Sequence, residues 1–303
     1  MSTSTLAYER RRVGLLTRAR DYVDLTRPRI ALMVLITVAV GAVAGSWGPP
    51  DVRLLLHAAI GTTLIAASAG ALNQWLERET DARMDRTAGR PLPSGRLSAW
   101  QAVTFGLATA ALGLAWLAAA VNIGTALLGA VTWLLYVWVY TPLKSRSPSN
   151  TAVGAVAGAM PVLMGWAAVG GPLDLHAATL FLIVYLWQFP HFMAIAWLYR
   201  RQYALAGLQM LPVVDPSGRR AGAQAVVAGA LLVVVSLIPA SHLLSPARAP
   251  WYLLGAVVLG IAQLLLAVRF KQKLNDETAR ALLRASLVYL PSLLMLFMAS
   301  RLL

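Results

Sequence analysis

The 303-residue sequence predicts an all-α polytopic membrane protein, with nine transmembrane helices in a bundle around a central cavity. Three observations carry that expectation. Hydrophobic residues make up 58% of the chain and charged residues only 13%, with a mean hydropathy of +0.66. Soluble domains carry about 25% charged residues, so most of this surface must meet lipid. Mostly apolar stretches of bilayer-spanning length, roughly 20 residues each, recur from end to end. Finally, the basic residues collect on one side of the membrane that those stretches define.

The first 29 residues hold seven arginines and read as a basic cytoplasmic arm leading into a span, not as a removable signal. Spans are expected at 30–47, 54–76, 99–119, 122–140, 151–171, 175–199, 221–241, 249–268 and 282–300. The run from Ala99 to Tyr140 has no charge and is twice the length of one span, and "VNIG" (121–124) is the natural turn that divides it. The expected organisation is therefore the arm, 1–29, followed by a single nine-span domain, 30–303. Of the 26 Lys and Arg, 23 fall on the side of the N-terminus, and only Arg53, Arg248 and Arg301 fall on the other. The excess of basic residues in cytoplasmic loops then places the N-terminus in the cytoplasm and the C-terminus outside. The net charge of +14 is thus a topology signal. No nucleic-acid partner is expected, since that would need a soluble basic face. With no cysteine in the chain, disulfides, thiolate metal ligands and thiol nucleophiles are excluded.

Chemistry concentrates in "ALNQWLERETDARMDRTAGRPLPSGR" (71–96), which holds four of the twelve acids: Glu77, Glu79, Asp81 and Asp85. If the second span continues inward as a helix, Asn73, Glu77, Asp81 and Asp85 share one stripe and Glu79 points elsewhere. Like charges at that spacing repel mildly, and a cation between them reverses the sign. Oxygen donors suit Mg²⁺, which takes one or two carboxylates together with substrate phosphates. Arg78, Arg83, Arg86, Arg90 and Arg96 lie among and after the acids, and guanidinium grips phosphate in a two-pronged fork. The blander alternative is a solvated helix end with ordinary acid–base pairs. Pro91 and Pro93 stiffen the loop, while Gly95 allows a tight return.

The next loop on that side, "YTPLKSRSPSN", brings Tyr140, Lys144, Arg146 and Asn150 near the same face. Pro190 and His191 fall in the inner half of the sixth span, where a polar side chain is a functional candidate. His57, His176 and His242 sit near outer helix ends and read as structural or interfacial. Trp133, Tyr136, Trp138 and Tyr140 descend one helix; most are belt or packing residues, though some could stabilise a passing cation.

A nine-span chain with Asn-x-x-x-Glu-x-x-x-Asp at the inner end of span two resembles the UbiA-type intramembrane prenyltransferases. The segments "LTRPRI" (25–30), "NQWLERETDARMDRTAGRPLPSG" (73–95), "YTPLKSRSPSNTAVGAVAGAMPVLMGWAA" (140–168) and "PHFMAIAWLYRRQYALAGLQMLPVV" (190–214) are similar to the branch that farnesylates haem. The resemblance implies farnesyl diphosphate and haem B as substrates, Mg²⁺ as cofactor, and a multi-pass protein of a bacterial-type cytoplasmic (inner) membrane. The product would be haem O, bearing a hydroxyethylfarnesyl side chain. Catalysis would fall to Asn73, Glu77, Asp81 and Lys144, with Asn73, Glu77, Asp81 and Asp85 around the metal. Arg83, Arg86, Arg90, Arg146, Arg200 and Arg201 would meet the diphosphate, and His191, Tyr140 and Tyr203 the haem. Two departures stand out: Glu77 replaces the usual Asp, and Arg201 and Gln202 stand before Tyr203 where acids are common. The rival readings are a sister enzyme with a quinone-type acceptor, which should carry a second Asp-rich motif in the loop after span six, and a multispan transporter, which should show related halves.

Overall fold

A computed structural model describes residues 3–46 and 51–302 of the chain. The basic arm is a helix, α1 (Thr3–Thr26), whose first two residues by sequence lie outside the described ones. The first span is α2 (Pro28–Gly45); Trp47, the end expected for it, is also outside the described residues. Then follow α3 (Val52–Leu76), the short helices α4 (Arg78–Ala82) and α5 (Asp85–Ala88), and α6 (Ala99–Ala120). The fourth span joins α7 (Ile123–Leu134), a π-helical segment (Leu135–Tyr140) and the turn α8 (Thr141–Leu143). Beyond it come α9 (Asn150–Ala168), α10 (Leu175–Leu198), α11 (Arg200–Leu205) and α12 (Leu211–Val214). The last three spans are α13 (Arg219–Leu237) with α14 (Pro239–His242), α15 (Ala249–Lys273) and α16 (Asp276–Leu302). Among the described residues, nine helical segments are long and apolar enough to cross a membrane.

Local chemistry sets several helix ends. Ser98 and Gln101 form a reciprocal capping box at the start of α6, and Asn122 accepts from Thr125 N at the turn predicted to split the long apolar run. Gly95 takes the positive φ, 75°, that its tight turn needs. The last two spans are longer than expected. Arg269, Lys271 and Lys273 extend α15, and Asp276, Glu277, Arg280 and Arg284 belong to α16. A count of uncharged residues stops at the lipid edge, whereas the helices carry on into water.

The bundle closes through α3 against α6, α2 against α9, and α10 against α9, α13 and α16. The α2–α9 crossing is the closest. A Cβ on Gly41 would run into the Val162 carbonyl, and one on Gly165 into the Val38 carbonyl. Such crossings between small residues let backbones touch in lipid, where no hydrophobic force separates helix from tail. This contact fixes α2, and with it the start of the site, against α9. Gly165→Ala is therefore expected to lower stability by about 1–3 kcal/mol through overpacking, read as an earlier unfolding midpoint in detergent. Gly229→Ala, whose new methyl would make only ordinary contact with Leu264 at 3.5 Å, should not; equal losses would discount the crossing.

Candidate functional site

Tracing the chain out of α3 shows how the site is assembled. The helix closes at Leu76, Glu77 caps it, and α4 adds one further turn that ends at Ala82. Met84 is extended (φ −119°, ψ 123°) and buried against Ala196, Tyr203 and Met210. Burying that side chain turns the chain away, so the single stripe expected from Asn73 to Asp85 breaks after Asp81. Thr87 Oγ1 donates to the Asp81 carbonyl at 2.8 Å and secures the turn. Asp85 is exposed and lies outside the cavity, which corrects its expected place beside the other acids.

Glu77 and Asp81 line a cavity of about 490 Å³ between α2, α9, α10 and the π-helical segment. Each is paired. Lys144 Nζ stands 2.7 Å from Glu77 Oε1, and Arg90 Nη1 donates to Asp81 Oδ2 at 2.5 Å. Asp81 is only 1% exposed. Burial works against the Lys144 charge, but Glu77 and then Tyr140 more than offset it, so its pKa stands above the ordinary lysine value. For Arg90, burial and the nearby Arg27 lower the pKa against the pull of Asp81, yet a guanidinium keeps its proton.

Asn73 is fully buried and does not line the cavity, so it does not face the substrate space with the two carboxylates as expected. Its Nδ2 donates to Thr141 Oγ1 at 2.8 Å, and its Oδ1 is buried without a partner. Thr141 in turn donates to the Tyr136 carbonyl at 2.8 Å, stabilising the π-helical turn. Such turns re-aim side chains and frequently mark functional sites. Here Tyr136 and Tyr140 both face the cavity, their rings 5.3 Å apart, with Lys144 Nζ 4.5 Å from the Tyr140 ring centre.

The loop after α10 supplies Tyr203, whose hydroxyl accepts from Arg86 Nη2 at 3.3 Å. Arg86 also stands 4.7 Å from the Tyr199 ring centre. Asn150 Nδ2 bonds the Ser147 and Gln209 carbonyls, stapling the two loops together. Four expected phosphate contacts do not enter the cavity. Arg83, Arg146 and Arg201 are exposed, and Arg200 pairs with Asp276 at 2.9 Å while lying over Trp197.

Sequence reasoning missed Arg27. It caps α2 in the left-handed conformation (φ 54°, ψ 63°), which costs a non-glycine residue about 1–2 kcal/mol. Its Nε and Nη2 are buried without partners, and the side chain lines the cavity. The detectable signal was an arginine directly before Pro28, a position where proline restricts the backbone. Arg27, Arg29, Arg86, Arg90 and Lys144 set five cations against two carboxylates at the cavity mouth. Deeper, Thr37, Tyr136, Trp187, Gln188, His191 and Phe192 make a wall without formal charge.

Fold and site together define an integral membrane protein that can hold a polyanion at one membrane edge, above an uncharged aromatic chamber. The UbiA prenyltransferase family profile matches residues 34–297. The chain belongs to the UbiA prenyltransferase family, and it is a prenyltransferase. A relative named protoheme IX farnesyltransferase, from Solibacter usitatus, is 45% identical over 93% of this chain and 99% of its own length. Another of that name, from Myxococcus xanthus, is 42% identical over 92% of this chain and 94% of its own. The fold matches a UbiA homolog from Archaeoglobus fulgidus bound to DMAPP and Mg²⁺, with TM-score 0.70 and 19% identity over 92% of this chain and 99% of that one.

The carboxylate pairs carry a stability consequence. Removing one partner of a buried pair leaves an uncompensated charge and costs about 3–5 kcal/mol. Lys144→Met should therefore destabilise the protein markedly, and adding Glu77→Gln should restore most of the loss, both measured by thermal unfolding in detergent. Additive losses in the double variant would show that the two side chains are not coupled.

Proposed function

We propose that the protein transfers the farnesyl group of farnesyl diphosphate to a vinyl group of haem B, with addition of water, giving haem O. The observation that carries this reading is the division of one cavity into a cationic mouth and an uncharged, aromatic interior. A diphosphate needs the first, and a flat apolar acceptor and a prenyl chain need the second. The relatives' shared name supports haem as acceptor over a quinone-type ring. We take residues 30–303 as one prenyltransferase domain behind the arm 1–29. The basic side is read as cytoplasmic, and the protein as resident in a bacterial-type inner membrane.

The donor set fits Mg²⁺ arriving with the substrate. Among the described residues no group of three His or acidic side chains could hold a metal alone. Two cavity-facing carboxylates, Glu77 and Asp81, suit an ion that keeps waters and takes its other oxygens from phosphate. Bound there, Mg²⁺ would neutralise charge on the diphosphate. Asn73 supports this pair from behind through Thr141.

On substrate arrival, Lys144 and Arg90 exchange their carboxylate partners for phosphate oxygens. Arg27 brings two donors that have no acceptor within the protein, and Arg86 a guanidinium held between two tyrosines. These cations stabilise the negative charge that grows as the allylic C–O bond breaks. The allylic cation left behind survives best away from water, and the faces of Tyr136 and Tyr140 are placed to stabilise it. Tyr140, Tyr203 and His191 form the wall that meets haem.

The assay is purified protein in detergent with farnesyl diphosphate and haem B, with and without Mg²⁺, scored by chromatography for a more hydrophobic haem. Asp81→Asn should reduce turnover per folded molecule at least about 10²-fold, with a lowered unfolding midpoint because Arg90 loses its partner. Arg27→Gln should raise KM for farnesyl diphosphate by about 10–100-fold, the loss of a charged hydrogen bond. Full Mg²⁺-independent activity would remove the metal from the reading. Failure to use haem alongside prenylation of a quinone-type acceptor would replace the acceptor.

A further inference from the structure

Below the charged mouth, α10 presents Gln188 and His191 to the cavity, a spacing that puts them on adjacent turns of one face. The Gln188 amide nitrogen donates to two carbonyls, Ala155 O at 2.8 Å and Val184 O at 3.2 Å. Both partners only accept, so the nitrogen's two hydrogens are used and Oε1 remains an acceptor. Gly158 makes room for that oxygen, because a Cβ there would overlap it.

His191 is constrained in a matching way. Its Nδ1 lies 2.9 Å from Ser286 Oγ on α16. That hydroxyl gives its single proton to the Leu283 carbonyl at 2.7 Å. A carbonyl can only accept, so the arrangement that satisfies all three groups has Ser286 donating to Leu283 and accepting from a hydrogen on Nδ1. Nε2 is then the bare nitrogen. The ring is clamped as well: Trp187 stacks on it with centres 4.8 Å apart and planes at 21°. Trp187 Nε1 donates to the backbone carbonyl of the same Ser286 at 2.7 Å. A single residue of the last span thus fixes the orientation of a histidine on the sixth and favours one of its tautomers.

The uncharged chamber therefore offers two acceptors on neighbouring turns, one of them a base. A ligand that suits them has two donor hydrogens and a lone pair to spare. We propose that Gln188 Oε1 and His191 Nε2 hold the water that adds to the haem side chain, that His191 accepts its proton, and that Ser286 is a positioning residue for His191. This inference rests on the farnesylation reading above. The allylic C–O bond breaks and its electron pair leaves with diphosphate. The terminal vinyl carbon forms the new C–C bond to the farnesyl carbon, leaving a cation on the vinyl carbon next to the porphyrin. The water oxygen bonds to that carbon while one water proton passes to Nε2. The sum is farnesyl diphosphate, haem B and water giving the hydroxyethylfarnesyl haem, diphosphate and one proton.

The test uses the full-length protein in detergent with farnesyl diphosphate, haem B and Mg²⁺, following turnover, product mass and the haem absorption spectrum. His191→Ala should lower kcat by about 10²–10⁴-fold, the usual contribution of a general base, with KM for farnesyl diphosphate unchanged. What product remains should shift toward a haem lighter by one water, because a cation that is not captured loses a proton from the neighbouring carbon. Ser286→Ala should show the same shift more weakly, and Ser286→Thr, which keeps the hydroxyl, should reverse it. Gln188→Leu should also raise the dehydrated fraction. The haem spectrum of every variant should match the parent. Normal yields of the water-added product from both His191→Ala and Gln188→Leu would overturn the proposal. So would a changed haem spectrum in His191→Ala with kcat preserved, which would make Nε2 an iron ligand. Inactivity of the parent protein on haem would instead sink the farnesylation reading itself.

Discussion

Two carboxylates buried at the rim of a membrane must be paired, and the rest of the site depends on that constraint. Glu77 and Asp81 are taken out of water by the bundle that, in the proposed reaction, would keep a reactive cation dry. Isolated charges in such a place are expensive, so each carboxylate needs a cation within reach before substrate arrives. Lys144 and Arg90 meet that need at 2.7 Å and 2.5 Å. Their presence makes the empty cavity tolerable, and their mobility as long side chains makes it usable. In the proposed reaction the pairs are resting positions for groups whose other partner would be a metal–diphosphate.

Supporting structure can be traced back to this requirement. Asp81 faces the cavity because burial of Met84 ends the helix one turn later, which also sends Asp85 outward. Lys144 reaches Glu77 because a π-helical turn rotates the end of the fourth span, bringing Tyr140 and Lys144 to the same side. Thr141 and Asn73 form the hidden link between these two events, tying the end of α3 to that turn through one hydrogen bond. At the far side, the glycine crossing of α2 with α9 sets the position from which Arg27 enters.

Much of this was legible in the residues. Long uncharged runs report spans because lipid tolerates little else. Glu77, Asp81, Lys144, Tyr140 and His191 were recognisable because ionisable or polar groups at membrane depth are rarely idle. What stayed hidden depends on partners distant in sequence. Arg200 reads as a phosphate ligand in the sequence, whereas in the fold it pairs with Asp276 at the start of the last span. The stripe from Asn73 to Asp85 assumed a continuous helix, and nothing local announces that Met84 packs on Tyr203 instead. Arg27 was masked by its neighbours, since seven arginines in one arm all read as topology and only its place before Pro28 sets this one apart in the sequence.

The distribution of charge within the cavity also explains why formal charge stops where it does. In the proposed reaction a cationic mouth would lower the barrier to losing diphosphate, but the same cations would repel an allylic cation moving inward. Below the mouth the lining therefore turns to aromatic faces and neutral acceptors, which stabilise positive charge without holding a permanent counter-ion that would capture it. A carboxylate at the position of Gln188 would hold water equally well, yet it could bond the cation itself and end the reaction at an ester. An amide oxygen and a neutral imidazole carry no formal charge, so neither is a standing counter-ion for the cation, and together they can orient one water toward carbon. Polar but uncharged residues at this depth are thus what a site needs if it must generate a cation in one compartment and quench it in another.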